Sequence, residues 1–261
     1  MKDNKDVKQE RSFLFKAVFV IVNVPLLVVF LVSMWKIGDY LLDRSKSSSF
    51  SRKIQNTAVI MDEEDEGEEE SEESEIPKAV DFDKLHEISE DAVAWLYAPD
   101  TKINCVVAQS EDNDYYIHRL LDGRTADSGT LFADCYNSPD FSDWNTIIYG
   151  HNMKNGTMFK TLIYYRDPGY YEEHPVMYLY TPGHRYKLEL VAGYTTSIYD
   201  RIYKVPATKQ ERDEMINSAL RVSTFASGVT VGDEDRLVTL STCSYDYEDA
   251  RYVVIGRLVE E

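Results

Sequence analysis

Residues 236–259 read RLVTLSTCSYDYEDARYVVIGRLV, two apolar β-branched runs on either side of a polar segment. This pattern predicts two strands joined as a hairpin, one ending at Cys243 and the next beginning near Arg251. The end of a buried strand lies at the rim of a sheet, where a side chain can meet a substrate. The hairpin therefore indicates both the fold class and the place where chemistry is expected.

The rest of the carboxyl-terminal two thirds of the chain is also rich in strand-forming residues. Five further segments have this character, namely INCVVAQ (103–109), GTLFAD (129–134), NTIIYG (145–150), VMYLYT (176–181) and YKLELVAGYTT (186–196). Helices are predicted over 157–165 and 209–225. An irregular helical stripe over 78–97 is formed by Val80, Leu85, Ile88, Val93, Trp95 and Leu96. We expect residues 78–261 to form a mainly β fold, an antiparallel barrel or sandwich with appended helices.

Near the amino terminus, residues 17–35 read AVFVIVNVPLLVVFLVSMW and carry no charge. A helix of this length spans about 28 Å, which matches the hydrocarbon core of a bilayer. The segment lacks the polar face of a core helix, and no small-residue cleavage site follows it. It therefore predicts an uncleaved transmembrane anchor.

The orientation of this anchor does not follow from the charge count. Five basic residues lie in the tail of residues 1–16 and five in residues 36–53, so the positive-inside rule is balanced. The short tail favours a cytoplasmic amino terminus, because long downstream domains translocate largely regardless of charge.

The net charge of −18 is concentrated in one place. Residues 62–75 read DEEDEGEEESEESE, with 11 acidic and no basic residues, which leaves −18 + 11 = −7 for the rest. The chain has no basic stripe of the kind that binds nucleic acid. Residues 36–77 are predicted to be a polar, acidic and extended linker.

An alternative interpretation of the acidic run is an EF-hand-like loop. Its residues at positions 1, 3, 5, 6 and 12 are Asp62, Glu64, Glu66, Gly67 and Glu73. Glu replaces the usual shorter side chain at two of these positions, and no amphipathic helices flank the run. We therefore favour a solvated spacer and predict no metal site and no cofactor.

The chain has three cysteines, too few for a disulfide-dense secreted domain. Cys105 and Cys135 lie in or beside apolar strands. The sequence leaves open whether they pair, although core packing is favoured for Cys105.

Three residues carry the expected chemistry. Cys243 can act as a nucleophile if a nearby base or cation favours its thiolate. His151 follows an apolar strand and a glycine, and its side chain exchanges protons near neutral pH. Arg251 would return to the cysteine through the hairpin, and its charge can hold a substrate or an oxyanion. Taken singly, each residue is equally typical of a core cysteine, a loop histidine or a surface arginine, and Arg257 has the same strand parity as Arg251.

In combination these residues resemble the sortases, the membrane-anchored cysteine transpeptidases. The resemblance covers about residues 79–260 and rests on TLSTC (239–243), the order His-Cys-Arg and the amino-terminal anchor. DNDYYIHR (112–119), NTIIYGHNMKNGTMFKTL (145–162) and the helix before the TLSTC strand make class B the most similar class.

The resemblance implies an eight-stranded β-barrel with its active site in a groove on the rim. Cys243 would attack the Thr carbonyl of a sorting signal of NPxTx or (S/P)PxTG type in a secreted protein. An amine of a peptidoglycan precursor or a pilin would then resolve the acyl-enzyme. His151 would transfer the protons, and Arg251 would bind the signal or stabilise the oxyanion.

The predicted substrate contacts are Ser241, Thr242 and Thr196, and residues 198–205 correspond to a segment that helps to read the signal. The resemblance also places the catalytic domain outside the membrane of a Gram-positive cell. An alternative of another class is a membrane-anchored peptide-binding module that keeps the barrel but has no turnover.

Overall fold

The computed structural model describes residues 4–61 and 76–261. The acidic run of residues 62–75, with its EF-hand-like spacing, lies outside the described residues. The described chain forms two compact units, residues 1–46 and residues 47–261.

The helices are α1 (Asn4–Ala58), α2 (Phe82–His86), α3 (Pro168–Glu173) and α4 (Lys209–Val222). The strands are β1 (Val59–Ile60), β2 (Ala79–Val80), β3 (Ala92–Tyr97), β4 (Asn104–Ala108), β5 (Leu131–Ala133), β6 (Asn145–Tyr149), β7 (Val176–Thr181), β8 (His184–Ser197), β9 (Leu237–Cys243) and β10 (Ala250–Glu260). Three 3-10 helices occupy Tyr115–His118, Phe159–Arg166 and Arg201–Tyr203.

Eight strands close into a barrel in the order β10-β8-β7-β3-β4-β5-β6-β9. The predicted eight-stranded barrel is thereby confirmed. Two of its pairs, β4 with β5 and β6 with β9, are parallel, and the others are antiparallel. The barrel is therefore mixed rather than purely antiparallel, and closure leaves it without a free edge.

The strands of the barrel present alternate side chains to two different cores. Leu240 and Val254 point into the barrel and pack with Leu188 and Phe159. Outside the barrel, α4 covers the opposite face of β8, β9 and β10, where Met215 packs with residues such as Val253. The outward face of β9 thus has a covered end at Leu237 and continues from there toward Cys243.

The predicted helix over 78–97 is wrong in its second half. Only Phe82–His86 is helical, while Ala92–Tyr97 is strand β3 and pairs with both β4 and β7. Trp95 and Leu96 are both buried, since β3 is covered on both faces. A strand of this kind shows a continuous apolar run without alternation, which sequence periodicity does not separate from a buried helix.

In the first unit, α1 contains the predicted anchor segment of residues 17–35. From Ile21 onward this helix is long and apolar enough to cross a membrane, with a mean hydropathy of 1.9 in its most apolar stretch. Trp35 is exposed near the end of this stretch, where an indole ring suits a membrane interface. Pro25 lies inside the helix, and proline is tolerated in membrane helices.

In the second unit, the predicted linker differs from the structure. Residues 47–58 are the last turns of α1, and their Ile54 and Ala58 are buried in the same core as Trp95. Gln55 Nε2 donates a hydrogen bond of 2.6 Å to the carbonyl of Asn104. The compact unit therefore begins well before the predicted boundary at residue 78.

The two residues of β1 pair with the two residues of β2, Val59 with Val80 and Ile60 with Ala79. Lys78 N donates to the carbonyl of Ile60 at 2.9 Å and strengthens this pairing. The residues that flank the acidic run are thereby held close together on the barrel. The run therefore does not separate α1 from the barrel as an extended spacer would.

We predict that Ile54→Ala lowers the free energy of unfolding of residues 47–261 by about 2–4 kcal/mol, because it empties a buried site between α1 and the barrel. Urea denaturation measures this change. Asn56→Ala, on the exposed face of the same turn, is the control and should change stability by less than about 0.5 kcal/mol. Equal stability of the parent and Ile54→Ala would show that these turns of α1 do not support the barrel.

Candidate active site

The register of β9 and β10 places Arg251 directly opposite Cys243. On its other side Arg251 pairs with Thr196 of β8. Residues paired across strands project to the same face of a sheet. Thr196, Arg251 and Cys243 thus form a row across three strands, on the outward face of the barrel.

His151 reaches the same rim from β6, the parallel neighbour of β9. The last pair of this ladder joins Tyr149 to Ser241, so His151 and Cys243 each lie two residues beyond it. Gly150 N donates to the carbonyl of Ser241 at 3.1 Å and extends the alignment by one residue. A side chain at Gly150 has no room, since its Cβ would meet Leu131 Cδ2 at 2.4 Å. The structure therefore brings His151, Cys243 and Arg251 to one rim.

The imidazole of His151 is oriented by the 3-10 helix Tyr115–His118. Its Nε2 lies 2.8 Å from the carbonyl oxygen of Ile117, which can only accept a hydrogen bond, so Nε2 carries a proton. The ring of His118 stacks on that of His151 at 5.5 Å between centroids and 21° between planes. In the neutral ring Nδ1 is then the nitrogen that can accept a proton.

The two arginines with the same parity on β10 have different partners. Arg257 forms ion pairs with Glu189 and Asp235. The Arg251 guanidinium donates to the carbonyl of Ala250 at 3.0 Å and has no ion pair within residues 4–61 and 76–261. Its charge is therefore open to an external ligand.

A groove of about 260 Å³ begins at Arg251. Its other lining residues are Asn113, Ile117, Phe132, Tyr149, Ile198 and Tyr203. Most of these side chains are apolar or aromatic, and a charged group lies at one end. Such a surface can bind a peptide with apolar side chains and orient its polar backbone.

Tyr149 and Tyr203 are groove residues that sequence analysis missed. Their rings stack at 6.1 Å with 13° between planes. Burial raises the pKa of Tyr203 to about 12, so its hydroxyl is neutral at physiological pH and can bond Ser241 Oγ at 2.8 Å. Tyr149 donates to Asp134 at 2.7 Å, and burial raises its pKa well above the ordinary value. The strand parity that Tyr149 shares with His151 is a signal that could have identified it.

The structure assigns the three predicted substrate-contact hydroxyls to internal hydrogen bonds. Ser241, Thr242 and Thr196 are 1%, 1% and 7% exposed. Ser241 bonds Tyr203, Thr242 Oγ1 donates to the carbonyl of Gly150, and Thr196 Oγ1 donates to Asp200. Thr242 also points to the opposite face of β9 from Cys243, because side chains alternate along a strand. Direct substrate contact stays a prediction that this geometry does not favour.

The turn between β9 and β10 is braced from inside the barrel end. Arg166, at the end of a 3-10 helix, donates to Ser244 Oγ at 2.7 Å and forms an ion pair with Asp246. The Ser244 hydroxyl and the Arg166 charge hold the pKa of Asp246 below its usual range. Ser244 N donates to the carbonyl of Ala250 at 2.9 Å. Cys243 and Arg251 thus lie at the two ends of a closed turn.

The segment of residues 198–205 lies beside this turn, as predicted from the resemblance. Ile198 N donates to the carbonyl of Asp249 at 3.3 Å, and Asp249 has a positive φ of 59°. Ile198 and Tyr203 from this segment line the groove. The segment therefore forms one side of the groove.

All three cysteines are free thiols. Burial raises the pKa of the Cys105 thiol to about 11, which suits packing in the core. Among the described residues no group of three or more His, Cys, Asp or Glu side chains could hold a metal ion.

Comparison with known proteins agrees with this geometry. The family model described as Sortase domain matches residues 96–259. The chain belongs to the sortase family. Sortase B of Listeria monocytogenes is 34% identical to this sortase over 261 residues, covering 95% of this chain and 98% of the relative. These features identify the sortase as a cysteine transpeptidase that is most similar to class B.

Solved class B structures share the fold of this sortase. Sortase B of Bacillus anthracis in complex with AAEK1 matches with a TM-score of 0.71 and 31% identity, covering 85% of this chain and 100% of that chain. A Staphylococcus aureus sortase B-substrate complex matches with a TM-score of 0.65 and 28% identity, covering 69% and 85%. The S. aureus enzyme is also solved in complex with triglycine.

We predict that Asp246→Asn destabilises the sortase at about pH 7 by up to about 1 kcal/mol, because it breaks a partly exposed ion pair with Arg166. The pKa of Asp246 is lowered by folding, so the carboxylate stabilises the fold above its unfolded pKa and loses this effect as the pH falls through its folded pKa. The difference between parent and variant should therefore vanish at about pH 2. Urea denaturation of residues 47–261 at both pH values measures it.

Asp249→Asn is the matched control. It removes a charge from the same turn, leaves the Arg166 pair intact, and places asparagine at a positive φ that this residue tolerates. A pH-independent difference for Asp246→Asn would contradict the assignment of its effect to the ion pair.

Proposed function

We propose that the chain anchors secreted proteins by a two-step transpeptidation in which Cys243, His151 and Arg251 do the chemistry. The observation that carries the proposal is their convergence on one outward rim, beside a groove that begins at Arg251. A thiol, a proton-exchanging ring and an unpaired cation are the groups that acyl transfer to an amine needs.

In the first step Cys243 Sγ attacks the carbonyl carbon of a Thr in the sorting signal. A tetrahedral oxyanion forms, and the peptide bond after the Thr breaks. His151 gives a proton to the departing amine, and the Thr acyl group remains on Sγ as a thioester. The Ile117 carbonyl supports this role, because it holds Nε2–H and leaves Nδ1 for proton exchange.

In the second step an incoming amine attacks the thioester carbonyl. His151 takes a proton from the amine, a new amide bond forms, and the Cys243 thiolate leaves. The enzyme returns to its initial state, so one peptide bond is exchanged for another without an external oxidant or reductant. Water as the acceptor would give hydrolysis instead.

Arg251 acts on the substrate as a cation. Its guanidinium is unpaired within the described residues and lies opposite Cys243, so it can bind the backbone of the signal or the developing oxyanion. This difference in partners supports Arg251 rather than Arg257 as the functional arginine of β10.

The proposed substrates are a sorting signal of NPxTx or (S/P)PxTG type and an amine from a peptidoglycan precursor or a pilin. The groove of mainly apolar and aromatic residues beside Arg251 supports peptide binding. The substrate and triglycine complexes of S. aureus sortase B support binding of a peptide and of an amine-bearing acceptor.

The proposed topology has a cytoplasmic tail of residues 1–16 and a catalytic domain outside the cell membrane of a Gram-positive bacterium. The apolar helix in α1 supports a membrane anchor. The short tail supports the orientation, since the large domain is the part that translocates.

We predict that Cys243→Ala lowers turnover at least about 10³-fold, because no thioester can form without Sγ. A quenched fluorescent NPxTx-type peptide with triglycine as the acceptor measures cleavage and ligation. Mass spectrometry of the parent should detect an acyl adduct on Cys243. Cys135→Ala is the control and should keep parent activity.

Full activity of Cys243→Ala would sink the proposed mechanism. Tight binding of the peptide by the parent, with neither an adduct nor cleavage, would favour the peptide-binding module instead.

We predict that Arg251→Met lowers kcat/KM about 10²-fold with little change in Tm, because its charge acts on the substrate and has no internal partner. Arg257→Met is the matched variant on the same face of β10. It should lower Tm by breaking two ion pairs and keep kcat/KM within about threefold. The reverse pattern would transfer the functional role to Arg257.

A further inference from the structure

The β6–β9 ladder ends just before the two residues of the proposed chemistry. After Gly150, the carbonyl of His151 accepts from Phe159 N at 2.9 Å, within the loop that follows β6. Cys243 continues its pairing only with Arg251 of β10. No backbone hydrogen bond of the described residues therefore fixes the position of His151 relative to Cys243.

One side chain makes the missing connection. Asn152 Nδ2 donates a hydrogen bond of 2.8 Å to the carbonyl oxygen of Cys243. A carbonyl oxygen only accepts, so the NH₂ end of the amide must face it. The residue after the proposed acid–base group thus holds the backbone of the proposed nucleophile.

The loop that carries Asn152 is itself restrained. Asn152 forms an antiparallel bridge with Met158. Between them the chain reverses at Gly156, whose φ is 84° and whose N–H donates to the carbonyl of Met153 at 3.0 Å. The amide of Asn152 therefore has a firm support and can transmit position from the His151 loop to β9.

We propose that Asn152 is a positioning residue that sets the distance and angle between the His151 ring and Cys243 Sγ. The proposal rests on the proposed function, in which these two groups exchange a proton. Asn152 is not among the groove-lining residues, so its loss should act on the chemical step rather than on peptide binding. A displacement of about 1 Å in such a pair can lower the rate about 10²-fold.

The test compares Asn152→Ala and Asn152→Asp with Asn155→Asp in the full chain in detergent. Alanine removes the donor, and aspartate has the size of asparagine but cannot donate to the carbonyl when ionised. Asn155→Asp adds the same charge to the same loop while keeping an oxygen that accepts from Thr157 N and Oγ1 at 3.1 and 2.6 Å.

With the NPxTx-type peptide and triglycine, both Asn152 variants should lower kcat by about 10- to 100-fold and change KM less than about threefold. Asn155→Asp should keep kcat within about twofold. A parent-like kcat in Asn152→Ala overturns the proposal, because any loss in Asn152→Asp would then come from its charge. A loss in Asn155→Asp equal to that in Asn152→Asp overturns it for the same reason.

A second measurement needs no substrate and separates positioning from general destabilisation. The rate of Cys243 alkylation by iodoacetamide is followed against pH, with the modified peptide identified by mass spectrometry. Asn152→Ala should shift this profile while Asn155→Asp superimposes on the parent, since a changed His151–Cys243 geometry alters their coupled titration. Superimposed profiles for Asn152→Ala and the parent overturn the proposal.

Failure of this inference and failure of the proposed function are distinguishable. An active Cys243→Ala variant contradicts the proposed function. An inactive Cys243→Ala variant together with a parent-like Asn152→Ala variant contradicts only the role of Asn152.

Discussion

The site depends on the two different neighbours of β9 in the barrel. β6 is parallel to β9, so its carboxyl-terminal end reaches the same rim as Cys243. β10 is antiparallel, so its amino-terminal end reaches that rim. A residue that follows one strand and a residue that begins another are thereby brought beside the last residue of the strand between them. Neither neighbour alone would gather His151, Cys243 and Arg251.

The remaining structure protects this arrangement from two sides. Inside the barrel end, Arg166 joins Ser244 and Asp246 and closes the turn between β9 and β10. Outside, Tyr203 bonds Ser241 and covers β9 just before the nucleophile. Cys243 is thus flanked by fixed elements, and only the open side toward the groove is left for a substrate. Rigid support of this kind is what a reacting pair requires.

Local sequence information predicted the β9–β10 hairpin because both strands and their turn are contiguous. The pairing of β6 with β9 joins residues far apart in the chain, and no local pattern contains it. Sequence analysis reached His151 through its place after an apolar strand and through a family resemblance. Strand β3 was missed for a related reason, since burial on both faces removes the alternation that would have distinguished Trp95 and Leu96 from a helix.

The predicted substrate hydroxyls show where residue type alone is insufficient. Ser241 has the parity of Cys243, which favours the groove, yet its hydroxyl is taken by Tyr203 from a segment outside the barrel strands. That contact is a product of tertiary packing. The tyrosines of the groove were missed because aromatic residues in strands are equally typical of a core.

The acidic run has the opposite relation to the fold, since its composition is clear and its place was misjudged. Like charges in a row predict an extended spacer, and this holds for a segment whose ends are free to separate. Here β1 and β2 pair on the barrel and hold the flanking residues together, while Ile54 and Ala58 attach the end of α1 to the same core. The length of the run therefore does not set how far the barrel can move from the end of α1. Its charge, and not its reach, is the property that a functional account of this segment has to explain.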